Sequence, residues 1–160
     1  MNRLNFYLNI IQNSLNDVDN YINKISSFLP INYPNYNELI AHHKDTIDAI
    51  AFRFNKIQST LGEKVFKYFL EEIGYDTNKS FLEILNEIEK LGIVDRKKWI
   101  EFREIRNKVS HDYPEEIGEI IENLNKMINS FNEFKKILNK IKEIYEINKR
   151  WNRIYKKNYK

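Results

Sequence analysis

The sequence predicts an all-α fold, an up-and-down bundle of four to five helices. Three observations carry that expectation. Apolar residues recur three and four apart over long stretches, the spacing of one helix face. No stretch sustains the alternation of a strand. The four Gly and three Pro fall where helices should stop. At 160 residues the chain fits one domain, and with 42% apolar and 31% charged residues it can bury a core.

The elements follow in order. Leu4, Leu8, Ile11, Leu15, Val18, Ile22, Ile25 and Leu29 predict a first helix over about 3–29. Pro30 and Pro34 in "LPINYPNYN" mark a loop. From Glu38 to Ile73 the spacing is helical again, through Ile47, Ile50, Phe54, Ile57, Leu61, Val65 and Phe69, with Gly62 a weak point and Gly74 the stop. "DTNKS" supplies capping residues for a shorter helix that runs to about Leu91 and ends at Gly92. "DRKKWIEFREIRNKVSHDY" is a fourth helix, stopped before Pro114 because the residue preceding a proline avoids helical backbone. The last helix starts near Glu115, where a proline and two acids suit a first turn, and reaches at least Ile147, or Tyr155.

Composition removes several classes of function. With no cysteine there is no disulfide scaffold, thiolate zinc site or Cys nucleophile. No run of 18 apolar residues predicts a membrane span, so no membrane partner is expected. "MNRLNFYLNIIQNSLND" is broken by Asn at short intervals, unlike a secretory signal, and a cytoplasmic location is expected. His42 and His43 with Asp45 and Asp48 lack the i,i+4 histidine pair of a zinc site, so neither metal nor cofactor is expected. The net charge of +3 is unevenly placed. Residues 135–160 hold ten Lys or Arg against two Glu, a net of +8, leaving sixteen basic and twenty-one acidic residues, −5, in 1–134. Such a basic end suits nucleic acid.

One segment concentrates reactive side chains: "FREIRNKVSHDYPEE", 102–116. With Arg106 set at zero on a helical wheel, Phe102, Val109 and Ile105 fall at about −40°, −60° and −100°, a core stripe. Glu101, Glu104 and Lys108 lie opposite, on a solvated face. Arg106, Ser110, Arg103, Asn107 and His111 spread over about 140° along one flank. Arg106 and His111 are therefore separated by about 140° and roughly 7.5 Å of rise, and cannot easily grip one phosphate oxygen alone. Local unwinding near His111, or a second copy of the chain, would complete a site; the second option predicts a two-fold dimer. A histidine can move a proton near neutral pH, and an arginine fork can hold a phosphate. RNA brings its own nucleophile, the 2′-hydroxyl, so this set needs no metal. A polar helix end with a surface histidine is the plainer reading of the same residues.

"RNKVSHDY" resembles the Arg-x4-His-x-Tyr signature of HEPN-domain proteins, especially the HepT branch of toxin–antitoxin pairs. Arg106, His111 and Tyr113 match the three signature positions, and Asn107 falls where such proteins carry a small polar residue. "IAFRFNKIQSTLGEKVFKYFLEE" is similar to the long second helix of the nucleotidyltransferase-partner subgroup. The resemblance implies a HEPN-like helical domain over 1–160 and a metal-independent endoribonuclease, the toxin of a type VII-like pair. Arg106 and His111 would be catalytic across a homodimer cleft, with Asn107, Ser110 and Arg103 in support. It further implies a minimal nucleotidyltransferase antitoxin, with Tyr113 as the target of AMP transfer. A phosphorylated Tyr113 beside Arg106 would fill the phosphate site. The alternative is a non-catalytic subunit that binds nucleotide or presents Tyr113 to the transferase; a third reading is a bundle used only for interaction.

The resemblance is silent on the basic extension, about 145–160. There Lys149, Arg150, Trp151, Arg153 and Tyr155 interleave rings with cations, which suits single-stranded RNA; a frayed helix end with Trp151 in the core is the plainer reading. In a HEPN-like fold Asp48 or Arg53, on the second helix, would line the cleft. Arg103 would add to phosphate binding or pair with surface glutamates.

Overall fold

The computed structural model describes residues 2–110 and 116–159. Among them every regular element is a helix, and there is no strand. Helix α1 spans Arg3–Lys24 and opens on Asn2, whose side chain accepts from the Asn5 amide. It stops before the expected Leu29: Ser26–Phe28 tighten into a 3-10 turn, and Leu29, held extended by the proline that follows it, cannot continue the helix.

Helix α2, Tyr33–Thr60, begins five residues earlier than the sequence suggested. Pro34 sits in the first turn, where its missing N–H costs nothing, instead of marking a loop. Asn32 and Asn35 cap this end reciprocally, each side chain accepting from the other's backbone N–H at 3.0 Å. Gly62 does not break the helix that follows. Leu61–Val65 form a π turn that passes into α3, Phe66–Glu72, and Gly74 at φ +93° ends the run. Ser80 and Glu83 form a capping box that starts α4, Phe81–Lys90. Helix α5 covers Arg96–Ser110, and α6 runs from Ile117 to Asn158, three residues past the longest expectation.

Named contacts set the directions. Asn2, Gln12 and Asp19 of the first helix and its cap meet Tyr145, Lys142 and Lys135 of α6, so α1 and α6 are antiparallel. Asp17 pairs with Arg53, and Tyr7 stacks on Tyr68, so α1 and the α2–α3 run are antiparallel. Asn55 and Gln58 meet Ser110 and Arg106, which makes α5 antiparallel to α2. The four long helices thus alternate up and down.

An aromatic chain holds them together. Phe54 of α2 touches Phe131 and Phe134 of α6; Phe134 touches Phe102 of α5; Phe102 leads to Trp99 and then to Phe66 of α3. All six rings are at most 2% exposed. Each edge-to-face or tilted pair adds about 0.5–1.5 kcal/mol beyond burial. Phe102 and Ile105 are buried as the wheel predicts, while Val109 is only half-buried at the edge of the stripe.

Candidate functional site

Arg103 and Arg106 lie one turn apart on α5 and face the end of α2. Between them and the π turn is a cleft of about 220 Å³, lined also by Gln58, Gly62, Glu63, Phe81 and Trp99. Arg106 Nη1 donates to Gln58 Oε1 at 3.0 Å. Gln58 is 4% exposed, so its amide is a fixed anchor. That bond ties one corner of the guanidinium and leaves the remaining donors of the fork for an anion. Arg103 forms no hydrogen bond or ion pair among the described residues, so its whole fork is free at the cleft's edge. It does not pair with surface glutamates.

One turn farther along, Asn55 Nδ2 donates to Ser110 Oγ at 2.9 Å. The carbonyl oxygen of Asn55 is buried without a partner among the described residues. Gln58–Arg106 and Asn55–Ser110 are thus two polar rungs between α2 and α5. Sequence reasoning missed both α2 members. Their signal was present: Asn55 and Gln58 interrupt an otherwise apolar face three residues apart, between Phe54, Ile57 and Leu61.

Asn107 is exposed on α5. His111 and Tyr113 lie outside the described residues. Arg53 and Asp48 do not join the cleft: Arg53 turns to α1 and pairs with Asp17 at 3.3 Å, and Asp48 pairs with Lys44 on the surface. His43 sits at a kink in α2 and packs its ring on Phe28 at 5.3 Å.

The opposite side of α5 has a wider groove, about 500 Å³, against α6. Its charges cancel: Lys98, Lys108 and Lys126 face Glu101, Glu104 and Glu133. A hydrogen bond to Glu101 raises the Lys98 pKa above its ordinary value, and Glu122 does the same for Lys126. Cations already matched this way offer little to an external anion, so size does not make this groove the better anion site. The Arg103–Arg106 cleft, with two arginines against the single carboxylate of Glu63, keeps a net positive charge.

The C-terminal candidates lie elsewhere. Tyr145, whose hydroxyl accepts from Asn2 at 2.8 Å, is the last buried residue of α6. Beyond it Lys149 reaches back over the Tyr145 ring at 4.9 Å, and residues from Arg150 to Tyr159 are exposed. Trp151, at 69% exposed, is not core. Tyr155 stacks on Tyr159 at 4.7 Å. Phe102, next to Arg103, touches Phe134 of α6, and Lys149 stands 15 residues farther along that helix, about 22 Å at 1.5 Å per residue. The two candidate regions of one chain are therefore separate.

The fold and cleft together define an all-α bundle with a cationic notch between its second and fifth helices. No protein-family model, curated protein or solved structure matches the chain.

Proposed function

We propose that this chain is a metal-independent ribonuclease of HEPN type, the HepT-like toxin of a pair with a minimal nucleotidyltransferase. The observation that supports it best is Arg106: a guanidinium anchored on one corner by buried Gln58, beside an unpaired Arg103, on the helix that leads directly into His111. In this reading Arg106 holds the scissile phosphate and stabilises the charge that builds on its oxygens. His111 takes the proton of the 2′-hydroxyl as that oxygen attacks phosphorus. The phosphorus–O5′ bond breaks, a 2′,3′-cyclic phosphate remains, and the departing 5′ oxygen takes up a proton. Ser110, held by Asn55, and Asn107 position the end of the helix. On a helical wheel Arg106 and His111 fall about 140° apart, so in this reading a homodimer brings the arginine of one copy to the histidine of the other. The exposed stretch with Lys149, Arg150, Trp151, Arg153 and Tyr155 supplies a separate contact to the RNA strand, through cations and stacking rings. AMP transfer to Tyr113 by the partner places a phosphate beside Arg106 and blocks the site.

The experiment is RNA cleavage by the purified chain in EDTA, compared with Arg106→Ala and His111→Ala. Metal-independent cleavage lost in both variants is the expected result. Cleavage that requires a divalent ion, or that survives His111→Ala, refutes the mechanism. A wild-type chain that leaves RNA intact while accepting AMP at Tyr113 returns the alternative, a non-catalytic transferase substrate.

A further inference from the structure

The α2/α5 cleft carries features that a bare phosphate site does not need. Behind the two arginines its wall is aromatic: Phe81 and Trp99, with ring centres 6.3 Å apart at 45°. Trp99 is 1% exposed, yet its indole Nε1 has no hydrogen-bond partner among the described residues. A buried donor left unpaired costs about 1–3 kcal/mol. The Cζ2–Cη2 edge of the same ring faces the π turn, where a Cβ on Gly62 would stand 2.8 Å from Trp99 Cζ2. The π turn brings Gly62 and Glu63 to this wall, and the Glu63 carboxylate forms no ion pair or hydrogen bond among the described residues.

At about 220 Å³ the cleft is smaller than a drug-sized pocket, which begins near 300 Å³. It suits one planar ring with its phosphate. Its contents are two cations for an anion, rings for a planar body, and a free carboxylate that accepts from an N–H. An aryl phosphate without amino groups satisfies the first two and leaves Glu63 unmatched. A nucleotide satisfies all three, because its base offers Glu63 an exocyclic amine or, in uracil, the ring N3–H.

We propose that this cleft is a mononucleotide subsite: one unstacked nucleotide of a single-stranded RNA enters it, phosphate on Arg103 and Arg106, base against Phe81 and Trp99, an N–H of the base toward Glu63. The proposal rests on Arg106 as a phosphate-binding group, and it is independent of whether the bound strand is cut. Arg103 is then the residue that separates binding from structure, because it is exposed and unpaired and its loss disturbs no packing.

The test uses the full chain with Trp151→Phe, which leaves Trp99 as the sole tryptophan of the two present. Its fluorescence is followed in EDTA during titration with AMP, CMP, GMP and UMP, and with adenosine, inorganic phosphate and phenyl phosphate as controls. All four mononucleotides are expected to give a saturable change, with each control weaker. Arg103→Ala is expected to weaken AMP by about tenfold or more, as loss of a charged hydrogen bond does, with an unchanged circular dichroism spectrum. No saturable change with any mononucleotide, equal binding of phenyl phosphate, or unchanged affinity in Arg103→Ala overturns the proposal. The cleavage reading fails separately: intact RNA with saturable AMP binding sinks cleavage and keeps the subsite, whereas cleaved RNA without mononucleotide binding sinks the subsite and keeps cleavage.

Discussion

Gly62→Ala tests the architecture of the cleft through one methyl group. A Cβ at this position would stand 2.8 Å from Trp99 Cζ2, well inside contact distance, and 3.7 Å from Phe81 Cε2. The indole has little room to retreat. It is 1% exposed, with Phe66 at 4.9 Å, Phe102 at 6.0 Å and Phe81 at 6.3 Å between ring centres. Overpacking of this kind costs about 1–3 kcal/mol. Against it stands the usual gain of about 0.5–1 kcal/mol for alanine over glycine within a helix. The net is a destabilisation of up to about 2.5 kcal/mol, which for a domain of this size lowers Tm by up to about 10 °C. Thermal unfolding by far-ultraviolet circular dichroism reads it directly, with guanidinium unfolding as a second measure. Trp99→Phe in the same background shrinks the ring and should recover part of the loss, so the two substitutions are non-additive by at least about 0.5 kcal/mol. A Tm at or above wild type for Gly62→Ala, or strict additivity in the cycle, refutes the reasoning.

Two further outcomes follow from the fold. Trp151→Ala should leave stability within about 0.5 kcal/mol of wild type, because the ring is 69% exposed beyond the end of the bundle; a larger loss on chemical unfolding would show that this part of α6 packs on something. At the start of α4, the Ser80 backbone N–H and then its hydroxyl hold the Glu83 carboxyl below its ordinary value of 4.5. A depressed carboxyl stabilises the folded state above its unfolded pKa and loses that contribution as pH falls through the lower folded value. The Tm difference between wild type and Glu83→Gln should therefore be full above pH 4.5 and close in more acidic buffer; a difference independent of pH would exclude the capping carboxylate as its source.

Much of the fold was legible because helix periodicity and end signals are local. Ser80 with Glu83, Gly74 and Gly92 read correctly, since a cap or a left-handed turn is decided within a few residues. Pro34 did not, because the same residue starts a helix as readily as it breaks one, and here the reciprocal Asn32–Asn35 cap decides between them. Gly62 read as a weak point in a helix. Its role is to let a tryptophan 37 residues away approach the backbone, a contact between distant segments that no local pattern encodes.

The candidate site divides along the same line. By itself the sequence determined that Arg103, Arg106 and Ser110 share a flank of one helix, that Phe102 and Ile105 face a core, and that positive charge gathers at the C-terminus, because helical geometry and composition follow from residue order. Only the tertiary structure decided that Gln58 and Asn55 meet that flank, that Arg53 turns away from it, and that Trp99 and the π turn wall a cleft beside Arg106. It also decided that Trp151 stands outside the bundle. The physical reason is packing. Which residues of α2 face α5 is set by how all the long helices fit around Phe54, Phe102 and Phe134 at once, a condition that belongs to the whole chain and to no segment of it.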